Sequence, residues 1–409
     1  MTILTGVRVV EMGLWVAGPA AGGVLADWGA EVIKIEPPRG DPMRGLFGAL
    51  SGSQETRCPP FDLYNRGKRS VSVDVNTEQG RDLVEQIIGD ADVFVTNMRP
   101  AFLERVGLDH ERLLARFPRL VYASLTGYGL EGPDRDAPGF DVAAFSARGG
   151  VADRSTPPGD APTTLAGGMG DTVTGVTTVA AILAALLYRE RTGEGQLVET
   201  SLLRSGAYSI GMELSTRLTL GKLAPPPSRV KPQNPLMNSY AGKGGEWFWL
   251  MGAEAERHWP GIRAALDDER LDDERFSTPR GRRKAAGDFV AILDEIFASR
   301  TREEWAQRFE ENEVWWTPVN SAADVLTDPQ AHAAGVFVDV PVAGSGSDTI
   351  SSLATPVTFG AGAGPTAAPP AIGDDTDAVL RDLGISDAEL DRLHSEKIVH
   401  SPEPPDEQP

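Results

Sequence analysis

The sequence is poor in the residues that build disulfides and metal sites. Its 409 residues include one cysteine, Cys58, which excludes an internal disulfide and indicates a reducing compartment. The five histidines are scattered and form no pair at metal-ligand spacing, so we expect no metal. We therefore expect a cytoplasmic protein whose chemistry needs neither a metal nor a disulfide.

Long apolar runs and an excess of positive charge are also missing. The most apolar stretch, "VAAILAALLY", ends before the ~18 apolar residues that a membrane span requires. The first residues have neither the basic start nor the apolar centre of a secretory signal, so we expect none. The formal net charge of -20 opposes binding to nucleic acids and to acidic membranes. A small anionic ligand remains compatible with this charge if it meets a local basic patch.

The first half of the chain alternates between strand and helix patterns. The segments "VRVVEM", "EVIKIE", "RSVSVDV", "DVFVTN" and "LVYASLTG" are typical of strands, and "GPAAGGVLADWG" and "TEQGRDLVEQIIGDA" of helices between them. Such alternation predicts an α/β fold, with a parallel sheet covered by helices on both faces. Ligands then bind at the carboxyl ends of the strands, here after Met12, Glu36, Asn97 and Thr126.

The second half predicts a smaller domain inserted into the large one. We assign residues 1–221 to the first part of the large domain and the proline-rich residues 222–234 to a linker. Residues 235–312 then form the small domain, opening with a hairpin whose turn lies near "KGGE". Residues 313–400 return to the large domain, and the acidic residues 401–409 form a disordered tail.

The turn after the first predicted strand has some features of a dinucleotide-binding loop. Glycines follow the strand, and an acid, Glu36, ends the second strand about 20 residues later. However, Gly13, Gly18 and Gly22 do not fall at the Gly-x-Gly-x-x-Gly offsets, and the sequence has no Walker loop. A glycine-rich strand-to-helix turn is therefore favoured over binding of a nicotinamide dinucleotide.

The segment "YNRGKRS" is a second candidate for phosphate binding. Its cations Arg66, Lys68 and Arg69 surround a glycine directly before a strand, and phosphate groups require both charge and close approach of the backbone. A solvated basic loop explains the same residues equally well. Asn97, at the end of its strand, and Arg105 are weaker candidates of the same kind.

The stretch "LAGGMGDTVTG" places Asp171 among glycines, directly before a long helical pattern. Aspartate is a favoured N-cap, because its carboxylate accepts a backbone N–H and complements the helix dipole. A cap does not require glycines before it, so the amides of Gly167, Gly168 and Gly170 are also candidate oxyanion donors. The dipole is expected to keep Asp171 ionised at neutral pH, as a nucleophile for an acyl carbonyl. From the residues alone the cap is favoured, and both roles stay open.

Several segments, in order along the chain, resemble the class III CoA-transferase family. That family includes formyl-CoA and carnitine CoA-transferases and α-methylacyl-CoA racemase. The matching segments cover essentially the whole chain and include "LTGVRVVEM", "AGPAAGGVLADWGAEVIKIEPPRGDPMR", "NRGKRSVSVDV", "ADVFVTNMRPAFLERVGL", "PRLVYASLTGYG", "PGFDVAAFSARGG", "GDTVTG" and "LLYRERTGEGQLVETSLL". The resemblance implies a large Rossmann-like domain, a smaller α+β domain, and two chains interlocked as rings in a homodimer.

The resemblance also implies roles for individual residues. Asp171 matches the family's catalytic aspartate, which forms an aspartyl anhydride with the acyl group and then an aspartyl-CoA thioester. The residues expected to bind the acyl-CoA are Val16, Glu36, Arg66, Lys68, Asn97, Met98, Arg105 and Phe140, with Gly167, Gly168 and Gly170 as oxyanion donors. Coenzyme A then enters as a substrate, and no tightly bound cofactor is expected.

Phe140 separates the transferases of this family from its racemases. The racemases have a histidine at this position, and a phenyl ring cannot accept a proton. The formyl-CoA type has a glutamine where Val16 stands and a glycine-rich mobile loop longer than "AGKGGE", so a larger apolar acyl group fits at least as well as formate or oxalate. We predict a CoA-transferase for a small or lipophilic acid. The alternatives are an α-methylacyl-CoA racemase and a protein that binds CoA without turnover.

Overall fold

Strands and helices alternate along most of the chain, of which the computed structural model describes residues 2–46, 58–342, 347–362 and 366–402. The strands are β1 (Arg8–Met12), β2 (Glu31–Glu36), β3 (Arg69–Val73), β4 (Val93–Thr96), β5 (Val121–Thr126), β6 (Gln196–Ser201), β7 (Met237–Ala241), β8 (Trp247–Met251), β9 (Trp316–Pro318), β10 (Phe337–Pro341), β11 (Thr349–Leu353) and β12 (Val399–His400). The α-helices are α1 (Ala17–Asp27), α2 (Pro59–Asn65), α3 (Glu78–Gly89), α4 (Pro100–Val106), α5 (His110–Arg116), α6 (Val151–Ser155), α7 (Met169–Thr192), α8 (Leu202–Ser209), α9 (Gly211–Leu220), α10 (Ala255–Leu266), α11 (Pro279–Lys284), α12 (Ala286–Phe297), α13 (Arg302–Glu311), α14 (Ala322–Thr327), α15 (Pro329–Ala333), α16 (Thr376–Asp382) and α17 (Asp387–Ser395). A π-helix, Asp141–Arg148, precedes α6.

Seven strands form the main sheet, in the order β12-β3-β2-β1-β4-β5-β6. Neighbours from β3 to β6 are parallel, and β12 pairs antiparallel with β3 at the edge. The predicted α/β fold with a parallel sheet is therefore confirmed. Apart from the antiparallel edge, this is the strand order of a doubly wound fold, in which the direction of winding reverses between β1 and β4. A crevice for a ligand is expected beyond the carboxyl ends of these two strands.

Apolar layers cover both faces of the main sheet. Val9, Val93 and Val121 belong to the layer that contains residues of α1 and α7. Their neighbours Val10 and Phe94 belong to the opposite layer, which contains residues of α3, α4 and α5. Because both faces are covered, apolar residues follow one another directly in these strands, as Val9 and Val10 do in β1, although the buried Glu11 interrupts that run.

Helix α7 begins at the carboxyl edge of the sheet and crosses one of its faces. By length and composition it is the one helix within the described ranges that could cross a membrane. Nearly half of its most apolar window is buried within the protein, as in the core helix of a globular fold. Its Gly175 allows close contact with α1, since a Cβ there would lie 2.9 Å from the carbonyl oxygen of Ala17.

A second structural unit comprises residues 152–163 and 216–332, and the first unit comprises the rest of the chain. The second unit contains the antiparallel sheet β7-β8-β9, including the predicted hairpin between Ala241 and Trp247. Aromatic side chains dominate its core, where Phe248, Phe297 and Trp305 have no exposed surface. Each unit therefore has its own apolar core.

The boundaries of the second unit differ from the predicted ones. We placed the return to the large domain at residue 313, but residues 313–332 group with the second unit because β9 pairs with β8. Residues 152–163 also belong to it, which no pattern in the sequence indicated. The predicted linker, residues 222–234, contains neither helix nor strand. Of the predicted tail, residues 403–409 lie outside the described residues.

Candidate active site

A cavity of about 280 Å³ occupies the crevice where the winding of the sheet reverses. Its walls are the loops after β1, β4 and β5, together with Asp171 from the first turn of α7. Among the predicted site residues, Val16, Asn97, Met98 and Phe140 also line it. We call it the first cavity.

The loop after β1 is held by hydrogen bonds from two directions. Asn97 accepts the N–H of Leu14 at 3.0 Å, and its amide nitrogen donates to the carbonyl oxygen of Leu14 at 2.8 Å. The next residue, Trp15, has a left-handed backbone with a φ of 67°, and its N–H donates to Asp41 at 3.1 Å. Left-handed backbone is costly for a tryptophan, so the surrounding contacts must hold it. These contacts fix Trp15 in a position where its indole lines the cavity.

A cluster of buried charges lies beneath this loop. We call Glu11, Lys34, Asp41 and Lys68 the buried charge cluster. The Lys34 ammonium donates to Glu11 and to Asp41, both at 3.0 Å, and to the carbonyl oxygen of Gly13 at 2.8 Å. Lys68 donates to the other oxygen of Glu11 at 2.5 Å. The cluster therefore positions the loop from below.

Burial and pairing act differently on the two lysines of the cluster. Burial lowers the pKa of Lys34, but Glu11 and Asp41 outweigh it and the pKa is raised. For Lys68, burial is the largest influence and lowers the pKa to about 8, opposed by Glu11 and reinforced by Lys34. Both lysines are completely buried, so neither can reach a ligand in the cavity.

The segment predicted to bind phosphate, "YNRGKRS", uses its cations to form ion pairs within the protein. Arg66 forms an ion pair with Asp27 at 2.5 Å and is buried, and Arg69 pairs with Glu31 at 2.8 Å. With Lys68 in the buried charge cluster, each of the three cations is engaged by a carboxylate of the protein. The ion pairs favour a structural role for Arg66 and Lys68 over the predicted binding of the cofactor. The alternative, a solvated loop, is wrong for the same reason.

Glu36, at the end of β2, is also engaged by the protein. It is buried, accepts hydrogen bonds from Ser70 at 2.6 Å and from Arg44 at 2.7 Å, and accepts the N–H of Asp41. Its oxygens are not free for a ribose hydroxyl, and the predicted ligand role does not fit this geometry. Glu36 lies in the wall of a third cavity of about 180 Å³, which Met98 and Phe102 also line.

Asp171 is not the cap of helix α7. The N-cap is Gly168, with a φ of 74°, and Asp171 follows inside the first turn. Another acid, Asp141 from the π-helix, accepts the N–H of Gly170 at 3.1 Å. The role that the sequence favoured for Asp171 is thus taken by Asp141, which leaves the Asp171 carboxylate free to face the cavity.

The glycines before Asp171 have separate structural reasons. Gly168 has the left-handed backbone that favours glycine, and a Cβ at Gly170 would lie 2.3 Å from Asp141 Oδ1. A Cβ at Gly167 would meet no atom within 4 Å, so the space around it does not require a glycine. Because the Gly170 amide already donates to Asp141, the prediction that it is a free oxyanion donor is wrong.

Two carboxylates line both cavities, and neither forms an ion pair with a cation of the described residues. We call Asp141 and Asp171 the acidic pair. Burial, reinforced by the charge of Asp141, raises the pKa of Asp171 from its ordinary value of 3.8 to about 7. Burial also raises the pKa of Asp141, opposed by backbone hydrogen bonds from Gly170 and Gly168. The expectation that the helix dipole keeps Asp171 fully ionised at neutral pH is therefore wrong. Its carboxyl group instead takes up and releases a proton near neutrality.

A second cavity of about 330 Å³ lies on the other side of Phe140. It shares five residues with the first cavity: Trp15, Val16, Phe140, Asp141 and Asp171. Its further lining is Val142, Ser146, Thr164, Leu165, Gly167 and Gly168. The Phe140 side chain is 62% exposed at the boundary. Asp171 can therefore be approached from two cavities at once.

Three further residues at the site were missed by the sequence reasoning. Trp15 carries no motif, and its left-handed backbone is visible only in three dimensions. Arg99 lines the first cavity, and among the described residues no carboxylate lies within 4.0 Å of it. Asp141 follows Phe140 directly, so the resemblance could have drawn attention to it. The predicted Arg105 lines none of these cavities, and its guanidinium is stacked at 5.1 Å from the ring of Phe102.

The chain is similar to known proteins along nearly its whole length. Residues 4–376 match the sequence profile of CoA-transferase family III. A (R)-2-hydroxy-4-methylpentanoate CoA-transferase from Clostridioides difficile is 33% identical, over 97% of this chain and 99% of that protein. A cinnamoyl-CoA:phenyllactate CoA-transferase from Clostridium sporogenes is 32% identical, over 97% of both chains. A CAIB/BAIF family protein from Brucella suis has a similar crystal structure, with a TM-score of 0.81 and 29% identity over 93% of this chain and 99% of that one.

Proposed function

The chain belongs to CoA-transferase family III, whose transferases move coenzyme A from an acyl-CoA to a carboxylic acid, and we propose that here the covalent steps take place on Asp171. One observation carries this proposal. The Asp171 carboxyl group is shared by two cavities, pairs with no cation in the part of the chain that the structure describes, and has a pKa of about 7. A carboxylate that is poorly solvated and unpaired is a stronger nucleophile than one held in an ion pair.

The proposed reaction exchanges one thioester for another through two anhydrides. The Asp171 carboxylate attacks the acyl carbonyl carbon and expels the CoA thiolate, giving an acyl-aspartyl anhydride. The thiolate attacks the aspartyl carbonyl and releases the donor acid, which leaves an aspartyl-CoA thioester. The acceptor carboxylate then attacks that carbonyl, expelling the thiolate and forming a new anhydride. Attack of the thiolate on the acceptor's acyl carbon releases the new acyl-CoA and restores Asp171.

We propose that CoA extends from Asp171 along the first cavity. That cavity is lined by Val16, Asn97, Met98 and Phe140. Met98 also lines the third cavity. Arg105 is stacked on Phe102, which lines the third cavity, so its charge lies near the expected path of the CoA phosphates. Of the residues predicted to bind the acyl-CoA, this assignment keeps Val16, Asn97, Met98, Phe140 and Arg105. It removes Arg66, Lys68 and Glu36.

The oxyanion that forms on the thioester carbonyl requires hydrogen-bond donors. Gly168 and Gly170 direct their amides toward Asp141. We therefore assign the donor role to the Gly167 amide, in the wall of the second cavity. Its position next to the acidic pair suits a charge that develops at the carbonyl during attack.

The covalent mechanism is tested by trapping the intermediate. The enzyme is mixed with a panel of acyl-CoAs, quenched and digested, and the peptide containing Asp171 is analysed by mass spectrometry. We expect an acyl or CoA adduct on Asp171 that is absent from the Asp171→Asn variant and retained in Asp141→Asn. If no acyl-CoA labels this peptide, the covalent mechanism is wrong.

Deuterium exchange distinguishes this reaction from the racemase alternative. The enzyme is incubated with an α-methylacyl-CoA in deuterated water, without an acceptor acid. We expect no deuterium at the α-carbon, since no histidine lines the first or second cavity within the described part of the chain. Incorporation of deuterium under these conditions would favour the racemase.

We propose that two copies of the chain form the interlocked homodimer implied by the resemblance. The chain leaves the first structural unit and returns to it, which is the connectivity that a ring requires. Helix α9 has no buried residue, and its Met212 and Leu218, like Tyr208 near the end of α8, are each more than four-fifths exposed. Apolar surface of this kind marks an interface. Light scattering should give twice the chain mass. Leu218→Glu should lower the measured mass, whereas the control Leu353→Glu, at another exposed leucine, should not.

We place the enzyme in the cytoplasm.

A further inference from the structure

We propose that the second cavity receives the side chain of the carboxylic acid and that this acid is a monocarboxylate with an uncharged, apolar side chain, such as an aryl or branched alkyl group. The inference rests on the proposed reaction at Asp171 and names its class of substrate. Three properties of the cavity support it: its position, its charge and its size.

The position of the second cavity places it beyond the reacting carbonyl. The first cavity is lined by Asn97, Met98 and Arg99 and shares Met98 with the third cavity, so under the proposed function CoA extends on this side of Asp171. A thioester carbonyl at Asp171 then has its sulfur on the side of the first cavity. Its acyl chain has the second cavity on the other side, across Phe140.

The charge of the second cavity excludes a second carboxylate in the substrate. Asp141 and Asp171 are the only ionisable groups among the described residues that line it. A dicarboxylic acid would add a negative charge to this pair with no cation to offset it, in a site partly removed from water. Neutral hydroxyl groups, from Ser146 and Thr164, complete the polar part of the lining.

The size and the apolar surface of the cavity suit a bulky hydrocarbon group. Apolar cavities of about 150 Å³ hold a benzene molecule in other proteins. The second cavity, at about 330 Å³, accommodates a phenyl or branched alkyl group together with its connecting carbons. Trp15, Val16, Phe140, Val142 and Leu165 supply the apolar contacts. Of these, Val142 is 58% exposed, so it can be replaced without disturbing the core.

The test measures exchange between each acyl-CoA and its own free acid, which requires no knowledge of the natural partner. Wild-type enzyme is given pentanoyl-CoA with ¹³C-labelled pentanoate, 3-phenylpropanoyl-CoA with its labelled acid, or glutaryl-CoA with labelled glutarate. Entry of label into the thioester is followed by mass spectrometry. We expect kcat/KM for the two apolar acids to exceed that for glutarate at least ~100-fold, the discrimination expected when a buried charge lacks a partner.

A charge-reversal variant localises the effect. Val142→Arg adds a cation to the second cavity and should raise the ratio of glutarate to pentanoate exchange at least ~10-fold. The matched control Val357→Arg changes an exposed valine outside the cavities and should leave the ratio unchanged. Glutarate exchange as fast as pentanoate exchange, or an unchanged ratio in Val142→Arg, would overturn the substrate class and leave the transfer reaction standing. Absence of label in all three thioesters would instead contradict the proposed function.

Discussion

The buried charge cluster and the acidic pair lie on opposite sides of the loop after β1. They differ in whether their buried charges have partners of opposite sign. In the cluster, Lys34 lies between Glu11 and Asp41, and these carboxylates outweigh the effect of burial on its pKa. In the acidic pair, no cation within the described ranges offsets burial, and the charge of Asp141 adds to the effect of burial on the pKa of Asp171. Paired charges position the loop, and an unpaired charge is left for the reaction.

This contrast implies that the acidic pair is maintained at a cost to stability. A native pKa of about 7 against an ordinary value of 3.8 means that stability is lost as the pH rises from about 4 to about 7. Above pH 7 the whole cost is present, up to about 4 kcal/mol. Sites that bind and react commonly give up stability in this way.

The largest effect is expected from Asp171→Asn, which removes the unpaired charge. Without the nucleophile, kcat for CoA transfer should fall at least ~10³-fold. At the same time the melting temperature at pH 8 should rise, because a buried carboxylate without a cation is replaced by a neutral group. Acyl-CoA affinity, measured by calorimetry, should change only a few-fold. Loss of activity together with a lower melting temperature would show that Asp171 stabilises the fold instead.

The opposite outcome is expected when a paired charge is removed. Lys34→Met leaves Glu11 and Asp41 without their shared cation and should lower the free energy of unfolding by about 3–5 kcal/mol. The control Arg8→Met removes one of the two arginine partners of Glu31, in a pair whose side chains are each more than one-third exposed, and should cost no more than about 1 kcal/mol. Both values are read from urea denaturation. Equal costs in the two variants would contradict the structural role of the buried charge cluster.

The fold could be predicted from the sequence because its signals are local. Strands buried on both faces contain runs of consecutive apolar residues, such as Val93, Phe94 and Val95 in β4, and helix patterns separate these strands. The boundary at residue 313 was misplaced because β9 is short and pairs with a strand far away in sequence. Residues 152–163 join the second unit through tertiary contacts, which leave no mark on composition.

The candidate site could be predicted only in part, since side chains of one type can be paired or free. Arg66 and Arg105 were both predicted from the sequence to bind the ligand, yet Arg66 is paired with Asp27 and Arg105 is stacked on the ring of Phe102. Which acid caps α7 also depends on tertiary structure, since Asp141 accepts the Gly170 amide from 29 residues away along the chain. What the sequence could show was Asp171 itself, through its glycines and the family resemblance.

A smaller effect is expected when the like charge next to Asp171 is removed. The rate of transfer should rise with pH through an apparent pKa of about 7, because only the ionised carboxylate attacks. Asp141→Asn removes the neighbouring charge and can still accept the Gly170 amide through its side-chain oxygen. Its profile of kcat/KM should move about one pH unit toward acid, so that the variant retains more of its activity at pH 6. An unmoved profile would mean that burial alone sets the pKa of Asp171.

The smallest effect is expected from Arg105→Gln, which removes a free cation at the surface. Its control, Arg112→Gln, removes a paired one. No carboxylate of the described residues lies within 4.0 Å of Arg105, whereas Arg112, also exposed, pairs with Glu85 at 3.2 Å. If Arg105 binds the phosphates of CoA, its loss should raise KM for acyl-CoA by about 3–10-fold in low salt. The increase in KM should be smaller at high ionic strength, because salt screens exposed charges. Arg112→Gln should leave KM within about twofold at both salt concentrations, since its charge already has a partner. Equal KM values in the two variants would remove Arg105 from the binding site and leave Arg99, in the first cavity, as the remaining candidate cation.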